Sequence, residues 1–196
     1  RRSSDLFWDK LPKPALTRKD SKMRGRPFFC LAPMADVTDA SFRSIITKYG
    51  KPDVTWTEFV SADGIASKGI KVLKYDLLYS KKEKPIIAQL FSSNPEKMRQ
   101  AACYVSSLGF DGIDINMGCP DRSVEKQGAG AAMMKDLEKA GKIIEAVKEG
   151  IKDSKKKNIS ISVKTRIGYN KNQIKEWIPF LLSQDIAALT VHARTR

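Results

Sequence analysis

Three side chains of this 196-residue sequence pair reactivity with a useful position: Cys119, Lys164 and His192. Cys119 closes the segment Asp114-Ile115-Asn116-Met117-Gly118-Cys119-Pro120, in which an apolar stretch leaves through a glycine and is then fixed by a proline. A thiol held that way suits an acid or a nucleophile. The competing reading is a small buried hydrophobe, the usual state of a free cysteine. Cys30, inside an apolar run, and Cys103, on a helix flank, are read as packing residues only. Lys164 ends another apolar run and suits a Schiff base, a cation beside an electron-rich cofactor ring, or a solvated surface charge. His192, followed by Arg194 and Arg196, reads as a ligand-facing group. Gln127-Gly128-Ala129-Gly130-Ala131-Ala132 lets backbone approach a ligand or another loop closely. It matches neither GxGxxG nor GxxxxGK[ST], so no phosphate cradle is assigned to it.

The elements that must hold these groups alternate in period. Phe28 to Met34 is an apolar run between Pro27 and Pro33, short enough for a buried parallel strand. Phe42, Ile45, Ile46 and Tyr49 then recur at helical spacing behind a possible cap at Thr38. Strands are expected at Asp53 to Phe59, Pro85 to Phe91, 110–116, Ile159 to Lys164 and 188–192. Between them, Asn94-Pro95-Glu96 opens a helix with a cap and a first-turn proline, Leu137 to Ile151 forms another apolar stripe, and 172–184 a third. Such alternation predicts a parallel α/β sheet, open or closed into a barrel. In either case reactive groups gather where strands end. Met34, Glu58, Gln89, the Asn116 to Cys119 turn, Lys164 and His192 all fall there.

The 36 Lys plus Arg against 22 Asp plus Glu leave a formal +14, the field expected of a protein that meets a polyanion. Three cysteines without a CxxC pair and a single histidine leave no zinc constellation. No secretory segment and no 18-residue apolar run is present, which together with the odd cysteine count points to the cytoplasm. Residues 1–26 hold nine Lys or Arg against three Asp and read as an irregular basic leader ahead of a single unit over 27–196. A first residue other than Met and the abrupt stop at Arg196 read as cut ends.

Taken together, the blocks Leu31-Ala32-Pro33-Met34-Ala35-Asp36-Val37-Thr38-Asp39 with Phe42-Arg43, Thr57-Glu58, Ala88-Gln89-Leu90, Asn116-Met117-Gly118-Cys119-Pro120, Gly128-Ala129-Gly130-Ala131, Val163-Lys164-Thr165-Arg166 and Val191-His192-Ala193-Arg194-Thr195-Arg196 resemble bacterial tRNA dihydrouridine synthases. The resemblance implies an incomplete (β/α)8 TIM barrel with about six βα units present, the last two strands and a helical tRNA-binding domain being absent. It also implies FMN as cofactor, NADPH as electron donor and tRNA as partner. On that likeness Pro33 and Met34 pack on the flavin, Gln89, Lys164 and His192 make its polar contacts, Asn116 contacts the uracil, and Cys119 is the acid that protonates C5. Arg122, Lys126, Arg166, Arg194 and Arg196 follow strands on the reactive face and are the expected RNA contacts. Two other readings remain at this point: a barrel enzyme centred on Lys164, and a non-catalytic RNA-binding fragment.

Overall fold

A computed structural model describes residues 7–8, 11, 28–156 and 158–196. Its strands are β1 (Cys30–Leu31), β2 (Val54–Ser61), β3 (Ile86–Phe91), β4 (Gly112–Met117), β5 (Ser160–Gly168) and β6 (Ala188–Thr195). All neighbours pair in parallel, in the order β1-β2-β3-β4-β5-β6. A doubly wound sheet reverses its strand order at a switch point. Here the order never reverses, and the curled sheet is that of an incomplete TIM barrel.

The helices are α1 (Ala40–Gly50), α2 (Ala62–Ile65), α3 (Ile70–Leu73), α4 (Pro95–Ser107), α5 (Arg122–Lys126), α6 (Leu137–Asp153) and α7 (Ile174–Ser183). On the outer face of the sheet, Ile86, Ala88, Leu90, Ile113, Ile115, Met117 and Val163 share one core with Met98, Ala101, Ala102 and Val105 of α4 and Ile143, Ile144 and Val147 of α6. Each large side chain buried there contributes about 1.5–3 kcal/mol. No described helix is long and apolar enough to cross a membrane.

Several element ends differ from the sequence reading. The first strand shrinks from 28–34 to Cys30–Leu31, because Pro33 cannot donate to a ladder and Met34 turns both its N–H and its carbonyl onto the Thr38 hydroxyl. Thr38 is thus spent on that turn, and the cap of α1 is Asp39, whose carboxylate accepts from the Phe42 N–H at 2.7 Å. β5 and β6 run past Lys164 and His192 to Gly168 and Thr195, since their inward residues face an open barrel end. Cys30 is exposed on the edge strand rather than packed.

The basic leader expected over 1–26 lies outside the described residues except for Phe7, Trp8 and Leu11. Leu11 is buried with Val54, Trp56 and Ile87, the first inward residues of β2 and β3, and Phe7 and Trp8 pack on that cluster. The Trp8 indole N–H donates to Ser160 Oγ at 3.1 Å. These three side chains cover the strand-start ends of β2 and β3 and reach across to β5.

One buried ion pair ties α1 to the segment that leads into β3. Arg43 of α1, fully buried, donates to the Glu83 carboxylate at 2.7 Å and to the carbonyls of Thr38 and Leu78. Glu83 itself is 2% exposed, and its other oxygen accepts from the Ser80 N–H at 2.7 Å.

Candidate active site

Strand register decides which side chains share the barrel interior. Gln89 of β3 lies opposite Asp114 of β4, and Asp114 lies opposite Ser162 of β5. One step higher, Asn116 pairs with Lys164, and above that Arg166 pairs with His192. Because alternate residues share a face, these groups form polar layers above the apolar floor made by Trp56, Ile87 and Leu11.

Pro33, Phe59, Gln89, Asn116, Gly118, Cys119, Pro120, Lys164 and Arg166 line one open cleft of about 160 Å³ over these layers. Six of the residues singled out in the sequence therefore meet in one place. Met34, 40% exposed, and His192, also exposed, stand at its margin rather than in its lining. Arg122 and Arg194 are exposed beyond it and make no ion pair among the described residues.

The turn bearing Cys119 is held from both sides. Asn116 Oδ1 accepts from the backbone N–H groups of Gly118 at 3.1 Å and Cys119 at 2.9 Å. The Cys119 carbonyl accepts from the Ala131 N–H at 2.8 Å. Gly130 makes that approach possible, with φ +59 and a position where a Cβ would stand 2.6 Å from the Cys119 carbonyl oxygen. Of the two partners left open for the glycine loop, ligand or loop, it approaches the loop that carries the thiol. Arg166 Nε donates to the Gly118 carbonyl at 2.7 Å and Nη1 to the Thr195 carbonyl at 2.8 Å, so this guanidinium stitches the site together. Arg196 is likewise engaged, on the Glu125 carboxylate at 2.6 Å and over the Tyr169 ring.

The electrostatics follow from burial. Burial raises the Cys119 thiol above its ordinary pKa, with the nearby Asp121 and Glu125 charges adding to it against the Asp121 N–H and Arg166. A thiol raised that way keeps its proton at neutral pH. Burial lowers Lys164, as does Arg166, while Asp114 and Cys119 act the other way. His192 is lowered by desolvation first and then by Arg166, Lys164 and Arg194. Asp114, fully buried, is raised to about 6 by desolvation against the hydrogen bonds of Gln89 and Ser162 and the charge of Lys164. A protonated thiol, a half-buried cation and two amide side chains around an open cleft form an acid beside a set of hydrogen-bond donors. Such a set can orient an electron-rich planar ligand and protonate it.

The family model described as Dihydrouridine synthase (Dus) matches residues 30–196. The chain belongs to the dihydrouridine synthase family. Among its relatives, a probable tRNA-dihydrouridine synthase of Staphylococcus aureus (strain COL) is 38% identical over 192 residues, 97% of this chain and 52% of the relative. A probable tRNA-dihydrouridine synthase 2 of Bacillus subtilis (strain 168) is 38% identical over 195 residues, 98% of this chain and 54% of the relative. The chain thus spans about half the length of the curated relatives it matches.

In this family member, the sequence reading missed Phe59, Asp114 and Ser162. Asp114 lies inside the segment that leads to Cys119, and alternation from Asn116 places it on the same inward face. Ser162 carried no signal short of the β4–β5 register, and Phe59 is turned inward by the register shift between Trp56 and Phe59.

Proposed function

We propose that this chain carries the catalytic face of a flavin-dependent tRNA dihydrouridine synthase acting in the cytoplasm. The reading rests chiefly on one observation: a thiol that keeps its proton lies on the same cleft as Gln89, Asn116 and Lys164. A flavin suits these residues. Pro33 and Phe59 offer apolar surface, Gln89 and Asn116 each retain an unused amide N–H, and the Lys164 ammonium makes no hydrogen bond among the described residues. When bound, reduced FMN supplies hydride to C6 of a uridine in tRNA, and NADPH restores the reduced cofactor.

The chain's own residues then do the rest. Lys164 would supply a positive charge to a bound flavin, with His192 as a further polar contact at the margin and Pro33 and Met34 as apolar ones. Asn116 orients the uracil while holding the Cys119 turn. Cys119 delivers the proton to C5 of the uridine. The base must leave the RNA stack to reach this depth, and the exposed Arg122, Lys126 and Arg194 around the cleft suit phosphate contacts.

Cys119→Ala in the full-length protein tests the assignment. FMN absorbance should be retained, while dihydrouridine in tRNA, read by mass spectrometry, falls at least about 100-fold, the usual contribution of a general acid. Unchanged product formation would remove Cys119 from the chemistry.

A further inference from the structure

The hydrogen bonds that run from the Cys119 turn through Asn116 and Gln89 into the barrel interior all point the same way. Gly118 and Cys119 donate their N–H groups to Asn116 Oδ1. Asn116 Nδ2 donates to Gln89 Oε1 at 3.3 Å. Gln89 Nε2 donates to Asp114 Oδ2 at 2.6 Å, and Ser162 Oγ donates to Asp114 Oδ1 at 2.5 Å. The chain ends on the one member that, when ionised, has nothing to donate.

An amide side chain can be turned over, exchanging its carbonyl and its NH2 at almost no cost in shape. Gln89 and Asn116 therefore have no preferred polarity of their own. We propose that Asp114 is a positioning residue: its buried carboxylate fixes the orientation of Gln89 and, through it, of Asn116, and so holds the Cys119 turn. This deepens the synthase reading and rests on it for the role of Cys119.

The consequence of losing that terminus is specific. If Gln89 turns its carbonyl toward position 114, its NH2 faces Asn116, which must then turn as well. Asn116 would present NH2 to the N–H groups of Gly118 and Cys119, donor against donor at separations of 2.9–3.1 Å, and the turn must move. In the arrangement seen, the pair also keeps two spare N–H groups, one on each amide, a polarity suited to acceptor atoms on a ligand. The groups that face Asp114 are Gln89 from β3, Ser162 and the Lys164 ammonium from β5, and from β2 the Trp56 indole. That indole N–H is near enough to favour the ionised form, yet it has no hydrogen bond of good geometry among the described residues.

The test uses the full-length protein, iodoacetamide at pH 8 and peptide mass spectrometry, with Cys103 as the internal control. Asp114→Asn should change the alkylation rate of Cys119 by about tenfold, the size expected when a hydrogen bond to a charged group is removed, and leave Cys103 unaffected. Adding Gln89→Glu should restore the Cys119 rate. The carboxylate introduced at position 89 can then accept from both Asn116 and the new amide at 114, and Asn116 keeps its orientation although the spare N–H of Gln89 is gone. If Asp114→Asn alone does not fold, Gln89→Glu takes its place: it should disturb Cys119 by setting two carboxylates together, and Asp114→Asn added to it should repair the disturbance. An undisturbed Cys119 in the single variant, or an unrepaired one in the double, overturns the proposal. Dihydrouridine formation by the wild-type protein is followed in parallel, because its absence would sink the functional reading without touching the alkylation result.

Discussion

Gly130→Ala and Gly128→Ala form a matched pair that isolates how the Cys119 turn is held. Both glycines have positive φ, +59 and +74, so a side chain at either costs roughly 1–2 kcal/mol in backbone strain. They differ in what a Cβ would meet. At Gly128 the nearest atom is Lys139 Nζ at 3.2 Å, the far end of a side chain that can move aside. At Gly130 the Cβ would stand 2.6 Å from the Cys119 carbonyl oxygen and 2.8 Å from Val124 Cγ1. Neither can yield without shifting the turn or the buried packing of Val124, which adds about 1–3 kcal/mol of overpacking. Urea unfolding of the full-length protein should therefore give a loss of about 1–2 kcal/mol for Gly128→Ala and about 2–5 kcal/mol for Gly130→Ala. Only the second should alter the alkylation rate of Cys119. Equal losses with equal thiol reactivity would refute the claim that Gly130 is there to admit the cysteine turn.

Arg43→Met should cost about 3–5 kcal/mol in chemical denaturation, because it leaves Glu83 buried without its cation; a loss under about 1 kcal/mol would mean that Glu83 takes up a proton or reaches water. Burial raises Asp114 from 3.8 to about 6, so the folded chain holds a proton that the unfolded chain releases. That contribution is fully present below pH 3.8 and lost as pH rises through 6, leaving the protein roughly 3 kcal/mol less stable at neutral pH than proton retention would make it. Asp114→Asn should accordingly flatten the fall in melting temperature between pH 4 and pH 7.5 relative to wild type; an unchanged pH dependence would contradict the burial argument. Neutralising the exposed Arg122, Lys126 and Arg194 together should flatten the salt dependence of tRNA affinity by about 0.7–0.9 log units for each phosphate no longer neutralised. The same change at Lys155 and Lys156, which lie at the strand-start side, should leave the slope as it is.

What could be read from residues alone was whatever depends on local pattern. The stripe Met98, Ala101, Ala102 and Val105 specifies α4, and the Asn94-Pro95-Glu96 start specifies its first turn, as observed. The thiol over the strand ends was legible because Gly118 and Pro120 constrain the chain within three residues. Pairing across the sheet was not. Nothing local says that β5 continues to Gly168, since inward-facing Lys164 and Arg166 look like the polar start of a loop until the barrel interior is known to be polar. For the same reason the interior position of Asp114 was readable only from the parity it shares with Asn116. Arg166 and Arg196 read as RNA contacts by position, yet each is committed to partners 29 to 71 residues away in sequence. Contacts of that range leave no trace in spacing.

The seal at the strand-start end has a consequence in time. Trp8 and its partner Ser160 are 152 positions apart, and synthesis proceeds at about 5–20 residues per second. The leader therefore emerges many seconds before the strand that receives its indole exists. Through that interval Phe7, Trp8 and Leu11 have only β2 and β3 to rest on, and the loop that Trp8 must finally close spans 152 positions, so its entropy is recovered late. These early residues are thus secured late, and an apolar Phe-Trp pair is left for chaperones or for neighbouring nascent chains to find.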